Sequence, residues 1–414
     1  MEANAGETES RPWLCEIWKS QDQESKLYYG GWEKLQRISI MGDTNNTTSV
    51  KTIDFSNCSK VTVLKLVSAN VEERALNLEL LSRLISLRIE CRFDEYVVQG
   101  IKSLGNLKIL LWSIIGSLLS TSNISFPPKL QVLRLTCQDR QYEHVENETY
   151  ETYSARPTLH LGGLRSLQEA RLDFSGKVQI SGLSSEMTKL RVLDLGGCNW
   201  LPSLPGVGDS IGMTALILSN CYSLKILPSL QMLTKLRTLN LWGCKSLTAV
   251  PGLGSSVALE ELNAWECESL REVPDVSNLT KLRKLIISGC KSLTALPGLG
   301  GLVALEELDA CGCESLRDVP DVSYLTKLRK FDISGCKSLT ALPGLGSLVA
   351  LEELDAWGCE SLREMPDVSN LTKLRMLNIS RCKSLTAVPG LERLVALEGL
   401  NAWRCESLRE VPDL

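Results

Sequence analysis

The sequence predicts a parallel-stranded repeat solenoid, and three observations carry that prediction. Cysteines recur at a fixed step of 23 residues, at Cys198, Cys221, Cys244, Cys267, Cys290, Cys313, Cys336, Cys359, Cys382 and Cys405. Each closes the same run of alternating leucines, LxxLxLxxC, followed by xxLxx(L/V)P. One instance is Leu236, Leu239, Leu241, Cys244, Leu247, Val250 and Pro251. The rest of each unit is crowded with Pro and Gly, as in AVPGLG, and is too short and broken for a full helix. No zinc-ligand spacing, disulfide framework or coiled-coil heptad gives such a period.

Alternating leucines belong to a short strand that points them inward and the intervening residues outward. Stacked units then form a parallel sheet with neighbouring strands about 4.8 Å apart. A bulky return path opposite a tight strand side curves the stack. The predicted fold is therefore an α/β-type leucine-rich-repeat solenoid (horseshoe), with a parallel sheet on the concave face and extended or 3-10 turns on the convex face.

The register extends towards the N-terminus with weaker chemistry. Starts at Val61, Leu84, Leu107 and Leu130 are 23 residues apart, Leu167 leads into Leu190 at the same step, and Leu35 precedes them by a longer one. The domain reading is a polar N-terminal segment over 1–30, irregular repeats over 31–189 with an insertion near 137–162, and regular cysteine-containing repeats over 190–414. The chain stops inside a unit without a polar cap, which fits a fragment, a truncated product or a stand-alone decoy or adaptor.

Composition removes several function classes. The formal net charge of −4 gives no basic footprint, so nucleic acid is not expected as a partner. The acidic, polar N-terminus lacks the basic start and apolar core of a secretory signal. The uncharged stretch from Ile109 to Pro128 holds too many Ser, Pro, Asn and Gly to read as a membrane span. The expected location is the cytoplasm, with the nucleus as a second compartment. The sequons at Asn123, Asn278 and Asn370 would then not meet the glycosylation machinery, and the 15 cysteines would be thiols. In register, Cys stands where many leucine-rich repeats carry Asn. It reads as a small apolar filler with a weak S–H donor.

Catalysis finds no foothold. There is no phosphate-binding GxxxxGK[ST] loop, and Gly206, Gly208 and Gly212 sit in a repeat turn after Pro205. Both histidines, His144 and His160, lie in the polar, acidic, Tyr-rich insertion, and with Cys137 they match no zinc spacing. That insertion reads as an exposed loop able to add partner contacts. No enzyme activity, cofactor, metal or small-molecule substrate is expected.

From residue 234 the units alternate between two types, one beginning TKL and the other VAL, so a second period of 46 appears. Equivalent positions then alternate in sign. One column runs Arg237, Glu260, Arg283, Glu306, Arg329, Glu352, Arg375, Glu398, and a second runs Lys245, Glu268, Lys291, Glu314, Lys337, Glu360, Lys383, Glu406. A third, on the strand face, runs Glu261, Lys284, Glu307, Lys330, Glu353. Alternation turns repulsion between like charges one strand apart into ladders of exposed ion pairs. These columns read as mainly structural.

The outward strand positions are the third, fifth and seventh of each LxxLxLxx. The fifth offers Asn240, Asn263, Asp309, Asp332, Asp355, Asn378 and Asn401, and the seventh offers Trp242, Trp265, Trp357 and Trp403 among Ser and Cys. Burial does not explain outward tryptophans, whereas indoles are favoured binding anchors. These eleven residues form the candidate partner-binding surface on the concave side. The competing reading has the Trp and Ser simply packing along the ladder to cover the strand edge.

The runs LTKLRTLNLWGCKSLTAVP (Leu233 to Pro251) and VALEELDAWGCESLREMPDVSNL (Val349 to Leu371) resemble the leucine-rich-repeat region of plant intracellular nucleotide-binding immune receptors. So does GWEKLQRISIMGD, from Gly31 to Asp43, which is similar to the entry into that region. The resemblance covers about residues 31–414. It implies recognition of pathogen effectors or guarded host proteins and regulation of a nucleotide-binding core in plant defence. The nucleotide-binding module itself is not in this sequence. The alternative is a general intracellular scaffold or adaptor of the same fold without an immune role.

Overall fold

The computed structural model describes residues 14–18, 35–41, 49–50, 55–67, 70–71, 77–92, 100–115, 123–138, 158–174, 178–273 and 275–409. The chain divides into two compact units, Met1–Val192 and Leu193–Leu414. Every start identified from the leucine spacing leads into a strand two residues later.

In the first unit the strands Leu14–Trp18, Arg37–Met41, Val63–Val67, Ser86–Arg92, Ile109–Ile115, Val132–Gln138 and Glu169–Phe174 pair in parallel, each with the next. The first of them falls in the segment read from the sequence as a polar N-terminal stretch. Residues one repeat apart face each other, as Leu64 with Leu87 and Leu87 with Leu110. The insertion leaves this register intact, since Val132 still pairs with Glu169. Residues 139–157, which include His144, lie outside the described residues. The end of the insertion is not an exposed loop: Thr158–His160 is the middle strand of a three-stranded parallel sheet with Asn123–Ser125 and Gln179–Ser181, and Leu159 is fully buried. An apolar residue between two polar ones anchors that segment. His160 Nδ1 contacts Ser181 Oγ across the strands.

In the second unit the strands are three residues long, from Ala215–Ile217 to Gly399–Asn401, paired in parallel with a constant register. They are shorter than those of the first unit for a local reason. At the fifth position an Asn or Asp side chain accepts a hydrogen bond from the backbone N–H two residues on, which bends the chain out of the strand. In the first unit Lys65, Arg88, Leu111, Arg134 and Arg171 stand at that position with no side-chain acceptor to offer, and Ser39 Oγ is buried without a hydrogen-bond partner. Ile217 and Ile286 make no such bond, yet their strands stop at the same point because the paired neighbours set the register.

The return path supplies the 46-residue alternation. One unit type turns through a 3-10 segment, at Leu253–Ser255, Leu299–Gly301, Leu345–Ser347 and Leu391–Arg393, each entered through a glycine at φ near +80°. The other type returns in extended form, and its Asp275, Asp321 or Asp367 accepts the N–H of the Ser two residues later at 2.9 Å. These carboxylates lie where a Cβ on the next unit's Gly298, Gly344 or Gly390 would sit. The glycines are thus fixed by φ and by space together.

The core is a stack of leucine columns. At the sixth position Ala264, Ala310 and Ala356 alternate with Ile287, Ile333 and Ile379, all buried, so a small side chain faces a large one at each step. Each in-register cysteine from Cys221 to Cys405 donates its S–H to the sixth-position carbonyl of the preceding unit. Sulfur–oxygen distances run from 2.9 Å (Cys405 to Ile379) to 3.3 Å (Cys221 to Leu195). Burial pushes these thiols far up, Cys244, Cys290 and Cys382 to about 12, so they stay protonated. No helix among the described residues is long and apolar enough to cross a membrane.

Candidate recognition face

Outward positions of the second unit hold the eleven residues singled out from the sequence, on successive strand ends. The fifth-position column is partly committed to the backbone. Asn240, Asn263, Asp309, Asp332, Asp355, Asn378 and Asn401 each accept the N–H of the seventh residue of their own unit, at 2.8–3.2 Å. The single amide oxygen of each Asn and one carboxylate oxygen of each Asp are therefore structural, which leaves each Asn its Nδ2 donor and each Asp its second oxygen. In Asp355 it accepts Asn378 Nδ2 at 3.1 Å.

Asp309, Asp332 and Asp355 stand on three adjacent strands and form no ion pair among the described residues. Burial, and then the two flanking carboxylates, push the Asp332 carboxyl above the ordinary range against hydrogen bonds from Ser334. Among the described residues no group of three His, Cys, Asp or Glu side chains is arranged to hold a metal ion.

The four tryptophans keep between 37% (Trp242) and 54% (Trp403) of their surface exposed. Trp242 and Trp265 stack on each other, centroids 5.4 Å apart and planes 7° from parallel. Trp357 and Trp403 are two units apart and do not touch in this way. Ser380, between them, is buried, as is Ser334 on the strand before Trp357. Packing along the ladder thus consumes part of each indole and leaves the rest outward.

The charge columns resolve into discrete pairs and not into continuous ladders. Arg237, Arg283, Arg329 and Arg375 each grip the Glu of the following unit with two nitrogens, at 2.8–3.0 Å. The Arg hydrogen bonds hold Glu306, Glu352 and Glu398 below the usual carboxylate range. In the second column Glu268 bridges Lys245 and Lys291, while Lys337 and Lys383 reach back to Glu314 and Glu360. On the strand face Lys284 pairs with Glu307 and Lys330 with Glu353. Bidentate geometry favours one partner over two half-contacts, which breaks the symmetry of the column.

The eighth position was not singled out from the sequence. It lies at positive φ in every regular unit, mostly as glycine, but as Asn220, Glu266, Arg381 and Arg404 in four. The signal was present as the residues that replace glycine in an otherwise glycine-filled column.

No protein-family model matches the chain, and no curated protein matches it. Solved structures do. A leucine-rich-repeat protein of Leptospira interrogans is 18% identical, with 85% of this chain and 86% of that one covered and a TM-score of 0.50. An internalin of Listeria monocytogenes is 16% identical over 89% and 87% of the two chains, with a TM-score of 0.48. A leucine-rich-repeat protein of Bacteroides ovatus is 14% identical over 94% and 90%, with a TM-score of 0.35. At such identities the likeness concerns architecture alone, and in architecture the chain is a leucine-rich-repeat solenoid.

Proposed function

We propose that this chain is a non-catalytic recognition module that binds a protein partner on the outward strand face of its second unit. The observation that carries the reading is the set of half-exposed indoles at Trp242, Trp265, Trp357 and Trp403, held on a rigid sheet and surrounded by partly satisfied Asn and Asp side chains. Aromatic side chains presented on a fixed scaffold bind with little loss of conformational freedom.

The finer reading is effector or ligand recognition, or regulation, in plant innate immunity. It is supported by the resemblance of the 23-residue cysteine units and of the Gly31–Asp43 stretch to plant immune-receptor repeats. A cytoplasmic or nuclear location fits the column of buried thiols, which must stay reduced to donate to carbonyls. The second reading is a general scaffold or adaptor, favoured by the near-identical blocks, which present a repetitive surface.

Replacing the four tryptophans together with Ala and comparing captured partners by quantitative mass spectrometry tests the module. Loss of most partners by a variant that still unfolds cooperatively, at a somewhat lower melting temperature, is expected; an unchanged partner set with retained folding refutes it. Sequencing the gene upstream separates the immune reading, which expects a nucleotide-binding module there, from the scaffold.

A further inference from the structure

The strand face reverses its charge within the second unit. At third and fifth positions, Glu307, Lys330 and Glu353 stand beside Asp309, Asp332 and Asp355, and the lysines are consumed by glutamates. In the next two units the same positions hold Met376 and Asn378, then Gly399 and Asn401, none of them charged. The eighth position changes with them. Glycine at 289, 312, 335 and 358 gives way to Arg381 and Arg404. The acidic face thus becomes cationic at the point where its aspartates end.

These arginines are held in an uncommon way. Both have left-handed backbone, φ 62° and 57°, a conformation that strains a side chain and that glycine adopts freely. The Arg381 guanidinium lies between two indoles, its Cζ 5.5 Å from the Trp357 centroid and 5.2 Å from that of Trp403. Arg404 Cζ sits 4.3 Å from the Trp403 centroid. The strand-start arginines Arg329 and Arg375 are each gripped by a glutamate, whereas Arg381 and Arg404 make no ion pair among the described residues. Arg381 Nε is buried without a hydrogen-bond partner. Met376, half-exposed, lies against Gly399.

We propose that Trp357, Arg381, Trp403 and Arg404 bind an acidic segment of the protein partner. This rests on the reading of the strand face as a recognition surface and names the chemistry it selects. The guanidiniums take side-chain carboxylates in two-pronged hydrogen bonds, and stacking on indole fixes their planes before the partner arrives. The indole faces cover the segment's apolar atoms. Asn378 and Asn401 remove the repulsion that aspartates would impose at this point. A nucleic acid is disfavoured, because a polyanion tracks a basic groove over several phosphates and here meets Asp355, Asp332 and Asp309 on the strands beyond.

The test uses the full chain and fluorescence anisotropy at low salt. The probes are a labelled peptide of alternating Glu and Ala, its Gln counterpart, and a single-stranded oligonucleotide of equal length. The Glu peptide should bind roughly tenfold more tightly than the Gln peptide. The double variant Arg381→Gly/Arg404→Gly should abolish that difference. Its melting temperature should hold or rise, because glycine suits this backbone, so misfolding does not confuse the result. Arg381→Lys/Arg404→Lys should retain only a small part of the preference. No preference for Glu over Gln, or a preference that survives in the glycine variant, overturns the proposal. So does tighter, arginine-dependent binding of the oligonucleotide. If the peptide fails while the tryptophan variant still loses its partners, the recognition face stands and its acidic selectivity falls. If the peptide binds but the partner set ignores the tryptophans, the acidic site stands and the wider reading falls.

Discussion

Each in-register cysteine from Cys221 to Cys405 ties its own turn to the previous unit through one S–H donor, a role a leucine could not fill and a charged side chain could not survive. Because burial raises the folded thiol pKa, stability is intact below the unfolded value of 9.0 and is lost as pH rises towards the folded one, about 12 for Cys244 and Cys290. In that window each such thiol removes about 1.4 kcal/mol per pH unit. The melting temperature in reductant should therefore fall steeply above about pH 9, and Cys244→Ala/Cys290→Ala should show a shallower slope; a flat profile for the parent chain would refute this. A second residue-scale prediction concerns Ser256, fully buried with an unpartnered hydroxyl where the other blocks place Leu302, Leu348 and Leu394. Its N–H makes the same turn-closing bond as theirs, so Ser256→Leu suits the backbone. Thermal melts should show a gain of about 1–3 kcal/mol. A loss would mean that neighbours already fill the space.

At the scale of the element, much was legible in the sequence. From Leu35 onward leucine spacing located each strand start of the main sheet, because a fixed period must repeat one local geometry, and Pro–Gly content excluded helical returns; Leu14–Trp18, with no such spacing before it, was missed. What escaped was structure without a period. The sheet of Asn123–Ser125, Thr158–His160 and Gln179–Ser181 joins segments separated by unequal lengths of chain, so no repeat announces it. The turn-forming role of the Asn and Asp column was hidden for another reason: outward polar residues look alike whether they serve backbone or partner. The joint between unit types is the most demanding element. At Gly344 a left-handed φ coincides with the space taken by Asp321. Gly344→Ala should cost at least about 1–2 kcal/mol in denaturant melts, whereas Gly105→Ala, which meets nothing within 4 Å at ordinary φ, should be close to neutral. Equal effects at the two sites would contradict the account of the joint.

For the molecule as a whole, repetition places the same outward positions on one strand after another, and small departures from the repeat create difference along the face. The candidate tryptophans were legible as outward aromatics, but the arginines stacked on them were not, because an isolated Arg in a glycine column looks like drift until the rings are seen beside it. The alternating charges, by contrast, close on each other in pairs and leave little for a ligand. A recognition module should engage its partner through the strand ends and not through the return path, where Tyr324 is 67% exposed. Site-specific photo-cross-linking decides between them most directly. With a benzoylphenylalanine placed in turn at Trp357, Trp403 and Tyr324, captured partner should cross-link at the first two positions and not at the third. Adducts concentrated at Tyr324, with none at the tryptophan sites, would contradict the assignment of the strand face as the binding surface.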